Sequence, residues 1–364
     1  MRMLAVCSTI DFKNSVRRAT LEAIWRQHPD TDFLFYTGLK HARTEKKTID
    51  GPCFYSFHFW IPEKLKPFKF LSGLEHKLRG RKWRAFFDQY DVIFMMDPNQ
   101  FYLLDYVSTQ KVVYLLRDPN ILLSKKNFEK ENKILQRSEL VLGISNELKE
   151  HYLPTYYDTF GEVKHWPNSV DLQIWDAKKY MRVEKYETPT FGISGNLTFK
   201  TDLKLLDKIT LKLQHVNFLV IGKNKLNRKM NQQFGIILSR KNVHYRGFLP
   251  LEKVPAEVSK WHVGLMIERN DIEFSRYFNA NKIYQYMAMG LPSVKYRYNN
   301  ELKDLSNVVF EVNNVEDYLE SMRLALETSN DIQFREMCIA KANENSADRR
   351  AGDFLKWVNE LPNE

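Results

Sequence analysis

The chain has 364 residues and a mass of 43.3 kDa, more than one hydrophobic core usually supports, which points to two domains. With 43% hydrophobic and 27% charged residues, it is neither a disordered nor a fibrous sequence. A formal net charge of +10 favours anionic partners such as phosphates, an acidic membrane surface or nucleic acid; the bland alternative is a basic protein whose charge is merely solvated.

The first ten residues, Met1 to Ile10, form a short apolar run that Asp11 and Lys13 cut off. This reads as a buried strand and not as an export signal. No stretch approaches the roughly 18–20 apolar residues of a spanning helix. Cys7, Cys53 and Cys338 are odd in number and far apart, which fits a reducing compartment and neither a disulfide framework nor a zinc site. Asn196-Leu197-Thr198 is a formal glycosylation sequon, without meaning in the absence of export. The expected location is therefore cytoplasmic.

Met3–Val6, Phe33–Tyr36, Val92–Met95, Val112–Leu116 and Leu140–Ile144 are continuous apolar runs, the pattern of strands buried on both faces. Helical stretches alternate with them, beginning with Asn14–Gln27, where Val16, Ala19, Ala23 and Ile24 recur at helical spacing. Residues 176–188 are charged and aperiodic and mark a boundary. A second series follows: strands Thr190–Ile193, Phe218–Ile221, Val243–Tyr245, Val263–Ile267 and Ser293–Lys295, with helices near 202–213 and 281–289. The segment from Val315 onward reads as helical. The expected fold class is α/β, two tandem Rossmann-like doubly wound domains with a cleft between them. The domains expected are residues 1–180, residues 187–340 and a C-terminal helical segment, 341–364, packing back on the first.

In such sheets ligands bind beyond the carboxyl ends of the strands, so functional residues belong just after strands and at helix starts. The segment Asn281–Val294 reads as a helix ended by Gly290, then a turn into a strand. Lys282 stands in its first turn, where backbone N–H groups already favour an anion, and Gln285 lies one turn on. An amphipathic helix with a solvated lysine is the alternative. The stretch resembles the P-x-K-L-x-E-Y-x-A-x-G-x-P-V-V signature of GT-B glycosyltransferases related to family 4. In that family the lysine contacts the donor diphosphate and the glutamate the ribose. The resemblance thus implies a phosphate role for Lys282 and the ribose position for Gln285. Glutamine keeps the hydrogen bonds without the charge. The family's other glutamate falls at Tyr277. The Lys-x-x-Gln form is similar to that of the xanthan-type glucuronosyltransferase, an inverting GT-B enzyme.

Phe191–Asn196 resembles the strand and glycine turn that open the family's second domain, bringing Gly195 and Asn196 to the donor site. Lys200 then carries the phosphate charge, or is a surface lysine. Val220-Ile221-Gly222 matches the second strand and turn. Val243–Pro250 resembles the N-V-x-F-x-G-x-x-P segment that holds the nucleobase, which brings in Phe248. Glu268 ends the next strand and holds the base or the sugar, or is an ordinary surface glutamate. Ser138–Leu148 and Pro167–Asp171 resemble the family's serine turn and its P-N-G-V-D turn.

Strand Val112–Leu116 ends in Arg117-Asp118-Pro119, where many relatives have His-Asp. Asp118 is the candidate base for the acceptor hydroxyl, and Arg117 a support for the leaving phosphate. A turn-capping Asp118 is the alternative, and Asp97 is the second choice. Asp30-Thr31-Asp32 has the form D-x-D but precedes a strand and reads as a loop. No cofactor is expected, and no metal, since lysines and helix ends neutralise the phosphates. The glycine-rich dinucleotide, Walker and zinc-protease motifs are absent.

Residues 57–87 interleave aromatic and basic side chains. Trp60, Lys64, Lys66, Lys69, Arg79, Arg81, Lys82, Trp83 and Arg84 are the candidate membrane or acceptor surface, on the inner face of the cell membrane. A packed helix pair with a solvated basic face is the alternative.

The expected reaction moves a sugar from a nucleoside diphosphate sugar, UDP-linked, to a saccharide or lipid-linked acceptor in bacterial surface polysaccharide or glycolipid assembly. A nucleotide-sugar epimerase and a nucleic-acid-binding or DNA-modifying GT-B protein are the rivals. Retention or inversion stays open, and nucleic acid is not an expected partner.

Overall fold

The computed structural model describes residues 1–7, 17–37, 53–58 and 69–362, without the side chains of 36–37, 56–58 and 69–77. The chain divides into two compact units, Met1–Pro167 with Arg350–Glu364, and Asn168–Arg349.

Among the described residues the first unit is built on seven parallel strands: β1 (Met3–Cys7), β2 (Thr31–Thr37), β3 (Phe54–His58), β4 (Val92–Met95), β5 (Lys111–Leu116), β6 (Leu140–Gly143) and β7 (Glu162–His165). Their order is β3-β2-β1-β4-β5-β6-β7. The second has six, β8 (Thr190–Ser194), β9 (Asn217–Ile221), β10 (Val243–Gly247), β11 (Val263–Met266), β12 (Ser293–Tyr296) and β13 (Val309–Val312), in the order β10-β9-β8-β11-β12-β13. All the pairings are parallel. The doubly wound class expected from the alternating runs is the class observed.

In each sheet the strand order reverses beside the first strand, between β1 and β4 and between β8 and β11. Reversal splays the following loops apart and leaves a crevice at the carboxyl ends. Side chains alternate across the second sheet. Phe218 and Val220 pack with Leu206, Phe234 and Met322 on one face, while Leu219 and Ile221 pack with Ile283, Tyr286 and Cys338 on the other.

Three strands lie outside the apolar runs read from the sequence: β3, β7 and β13. All are sheet edges. An edge strand lacks one neighbour and tolerates polar residues, as in Glu162-Val163-Lys164-His165, so its signal is weak. The unit boundary falls at Pro167, ahead of the charged stretch at 176–188, because Val170 and Trp175 pack with Trp261 and Tyr286 in the second unit's core. The last fifteen residues belong to the first unit, where Phe354 packs against Phe94 and Trp166. Thr31 and Asp32, read as a loop, open β2 instead. Asp32 is buried and accepts from Arg2 Nη2 (3.0 Å) and Tyr90 Oη (2.8 Å), at the amino ends of the strands.

Candidate functional site

Lys282 and Gln285 lie on the helix Asn281–Ala288, whose cap residue Ala280 offers no side-chain acceptor. Its buried face carries Ile283, Tyr286 and Met287, so Lys282 is turned toward the strand ends. There Lys282 Nζ donates to Glu268 Oε1 at 2.9 Å. Both side chains are mostly buried, 24% and 18% exposed, and paired with each other. Burial pulls the Lys282 ammonium down, but the Glu268 carboxylate outweighs it and holds the group above the usual lysine range, so it stays charged. Tyr298 Oη donates to the Glu268 backbone carbonyl (2.8 Å) and fixes the strand exit.

The turn after β8 meets this pair. Gly195 has φ +117°, a region that side chains rarely adopt. A Cβ there would stand 2.4 Å from Lys282 Cε. The lysine thus lies directly on a glycine backbone. Gly222, after β9, has φ +147°, and a Cβ on it would come within 2.0 Å of the Gly195 carbonyl oxygen. Asn196 Oδ1 accepts from Lys223 N (3.1 Å), stapling the two turns together. The next residues are zipped onto the β11 exit, with Asp202 N donating to Ile267 O (2.8 Å) and Arg269 N to Lys200 O (2.7 Å).

Lys200 is half-buried, its ammonium 3.8 Å from the Phe274 ring centroid and 4.9 Å from that of Phe278. Such contacts hold a cation in place without neutralising it. Asn196, Thr198, Phe199, Lys200, Lys225, Asn227 and Glu268 line a cavity of about 480 Å³. The structure therefore brings Gly195, Asn196, Lys200, Gly222, Glu268 and Lys282 together at the strand-order reversal of the second sheet. Gln285 is half-buried one turn further along the helix. Phe248 is half-exposed after β10, with Lys223 Nζ 4.4 Å from its ring centroid.

Several contributors carry little sequence signal. Lys225 lines the cavity without belonging to a motif, and Thr198 lines it with no role that the resemblance implied. Tyr286 is wholly buried, and its hydroxyl accepts from Ser194 N (3.0 Å), fixing the helix to the end of β8. Asn279 Oδ1 accepts from Asn168 N (2.9 Å), and its carbonyl from Asn168 Nδ2 (2.6 Å), tying the Pro167–Asp171 turn to the start of the Lys282 helix.

In the first unit, Arg117 and Asp118 follow β5, with Arg117 Nε donating to Asp118 Oδ2 at 2.9 Å. Burial lowers the Arg117 pKa, but Asp118 outweighs it and keeps the guanidinium firmly charged. The short helix Asn120–Leu123 has Pro119 at its cap and no side-chain cap bond, so Asp118 does not cap it. Asp97 does have such a task. Its Oδ1 accepts from Asn99 N (2.9 Å), and Gln100 Oε1 accepts from Asp97 N (3.3 Å). That capping box accounts for Asp97 structurally.

The helix Lys69–Phe87 exposes Leu78, Arg81, Lys82 and Arg84. Arg79 is half-buried, 5.5 Å over the Trp83 ring. Trp83 itself is a correction: expected at the membrane surface, it is 6% exposed and packs edge-on against Phe86, because it shares the inward helix face with Phe87. Trp60, Lys64 and Lys66 lie outside the described residues, as does the side chain of Lys69. Among the described residues no helix is long and apolar enough to cross a membrane.

No protein-family model matches the sequence, and curated proteins give no match. Solved structures do. The chain is similar to a sucrose-phosphate synthase from Thermosynechococcus elongatus, with TM-score 0.74, 12% identity and 99% of each chain covered. It is similar to the Anabaena protein HepE, solved with UDP and glucose, at TM-score 0.69, 13% identity, and 99% and 100% coverage. The lipopolysaccharide outer core galactosyltransferase WaaB gives 0.69 at 11% identity, covering 99% of both chains. The fold is GT-B. Identities this low establish the architecture alone. Within the GT-B fold, the glycine turns of the second unit and the Lys282 helix occupy the carboxyl-end crevice that doubly wound sheets use for ligands.

Proposed function

We propose that the chain is a glycosyltransferase that uses a nucleoside diphosphate sugar, UDP-linked, and a lipid-linked saccharide acceptor in bacterial surface polysaccharide or glycolipid assembly. The observation that carries the reading is the seat of Lys282: a charged lysine at a helix start, pressed on the Gly195 backbone and paired with Glu268, which together with Lys200 lines a cavity. Two held cations at the start of a helix suit a diphosphate. HepE was solved with UDP and glucose, which supports the donor class proposed, and WaaB is a lipopolysaccharide outer core galactosyltransferase, which supports the acceptor class. The Lys-x-x-Gln form of the helix is read as a variant of the family 4-related signature.

In this reading Lys282 and Lys200 hold the diphosphate and stabilise the charge it gains as the leaving group. Gln285 takes the ribose, the backbone near Phe248 takes the base, and Glu268 faces the sugar once Lys282 turns to phosphate. Asp118 removes the proton of the acceptor hydroxyl as its oxygen bonds to the anomeric carbon and the nucleoside diphosphate departs. A single displacement of this kind inverts the anomeric centre. The exposed cations Arg81, Lys82 and Arg84 serve attachment to an anionic membrane on its inner face. No metal enters the scheme, since lysines supply the counter-charge.

The test is a thermal melt of wild type and Lys282→Ala with UDP, GDP, dTDP and CMP, and NAD as control. A ligand at 100 times its Kd stabilises by about 2.7 kcal/mol. A shift with UDP that Lys282→Ala abolishes is the expected result. No shift with any nucleotide overturns the reading.

A further inference from the structure

Glu131 is fully buried on the helix Asn127–Arg137 of the first unit. Its carboxylate accepts four hydrogen bonds. Tyr114 Oη (2.7 Å) and Asn120 Nδ2 (2.5 Å) donate to Oε1, and Tyr152 Oη (2.8 Å) and Tyr157 Oη (2.7 Å) to Oε2. All four donors are neutral. Burial raises the Glu131 pKa against these bonds. Burial and the Glu131 charge also hold the three phenols above their usual range, so they remain donors. A carboxylate without a cation in a protein interior is less favourable than an apolar side chain of the same volume. What it provides is direction, since four bonds to two oxygens fix four separate segments.

Two of those segments bracket the Arg117–Asp118 loop. Tyr114 lies on β5, three residues before Arg117, and Asn120 lies two residues after Asp118. One carboxylate oxygen thus holds both ends. A third tie runs through Tyr152, whose hydroxyl also accepts from Ile121 N (3.1 Å), and a fourth from Asn127 Nδ2 to the Asn120 carbonyl (3.0 Å).

We propose that Glu131 is the positioning residue for Asp118, its carboxylate setting the course of the β5 exit loop through Tyr114, Asn120 and Tyr152. The proposal rests on the reading of Asp118 as the base. Tyr157 meets the same carboxylate and, among the described residues, makes no hydrogen bond to the loop itself, its hydroxyl standing 3.5 Å from that of Tyr152; it serves as the control.

The test compares Glu131→Gln, Asn120→Ala and Tyr157→Phe. Hydrogen exchange of the amides at 117–123 is followed by mass spectrometry, and turnover is read as UDP release from a panel of UDP-sugars. In Glu131→Gln and Asn120→Ala the loop exchanges about tenfold faster or more. In the same two, kcat falls about tenfold or more while the donor KM stays within about twofold. Tyr157→Phe stays near wild type in both. Asn120→Ala keeps the carboxylate and its tyrosines, so the test survives a misfolded Glu131→Gln. Unchanged loop exchange in both variants overturns the proposal, whatever the activity. Faster exchange with full turnover, beside an inactive Asp118→Asn, also overturns it. If Asp118→Asn keeps turnover too, the reading of Asp118 fails, while faster loop exchange still supports Glu131 as the anchor of the loop.

Discussion

The side chain of Lys282 lies across the bare backbone of Gly195, 87 residues earlier in the chain, so close that a Cβ on the glycine would meet Lys282 Cε at 2.4 Å. With φ at +117°, Gly195 is strained by any side chain, and the lysine tip is the group free to move. Gly195→Ala is therefore expected to displace the lysine at a stability cost of about 1–3 kcal/mol. Nucleotide affinity falls about tenfold or more, as read by calorimetry with UDP. Undiminished affinity would detach the Gly195 turn from the donor site. Gly222→Ala is harsher, since its Cβ meets the rigid Gly195 carbonyl at 2.0 Å, and is expected to lower Tm as well.

Asp118 and Asp97 follow neighbouring strands yet have different partners. Asp118→Asn is expected to retain nucleotide-induced stabilisation and lose about 100-fold or more in kcat. Asp97→Asn should mainly lower stability, by about 0.5–2 kcal/mol, through its cap. Steady-state kinetics and thermal melts on the two variants separate these outcomes. Equal turnover by Asp118→Asn and wild type removes Asp118 from the mechanism.

Lys295 and Glu311 pair on adjacent strands β12 and β13, 2.6 Å apart and 2% and 5% exposed. Lys295→Ala leaves a buried carboxylate with Arg297 at 3.8 Å as its remaining cation among the described residues, and such a loss typically costs about 3–5 kcal/mol. Lys295→Met with Glu311→Leu should recover most of it. Chemical denaturation of the single and double variants checks this, and a harmless Lys295→Ala would mean the pair contributes little.

His262 predicts a pH dependence. Its Nδ1 accepts from Thr190 N (3.1 Å), which requires the neutral ring, and burial, with Lys185 nearby, lowers its pKa to about 4. The unfolded chain takes up this proton near pH 6.5 and the folded chain only near 4. Stability is thus full above about 6.5 and declines as pH falls through that window, with a slope of up to about 1.4 kcal/mol per pH unit. His262→Gln should flatten the slope in urea titrations between pH 4 and 7. An unchanged slope assigns the acid sensitivity to other groups.

Arg81, Lys82 and Arg84 are exposed on the helix whose Trp83 faces inward. At about 1 kcal/mol per cation, replacing all three by Glu is expected to weaken binding to phosphatidylglycerol vesicles by roughly 100-fold or more. Sedimentation with vesicles measures it. Equal binding by wild type and variant would take the membrane role away from this helix.

The doubly wound class and most inner strands were legible in the sequence, because a strand buried on both faces must be a continuous apolar run and that run is a local property. The seat of Lys282 was legible as a helix start, and the positions of Gly195 and Gly222 as turns after strands. Edge strands β3, β7 and β13 were not, since partial exposure relaxes their composition. Sequence ranked Asp118 ahead of Asp97 without showing the partners of either, and could not tell that Trp83 points inward. Those outcomes depend on which hydrogen-bond partners and packing surfaces the folded chain supplies. The Glu268–Lys282 pair, the Phe274 and Phe278 rings about Lys200, and the four donors on Glu131 join segments that share no periodicity. Only the tertiary structure decided them, because hydrogen bonds and ion pairs act over a few ångströms and are indifferent to separation along the chain.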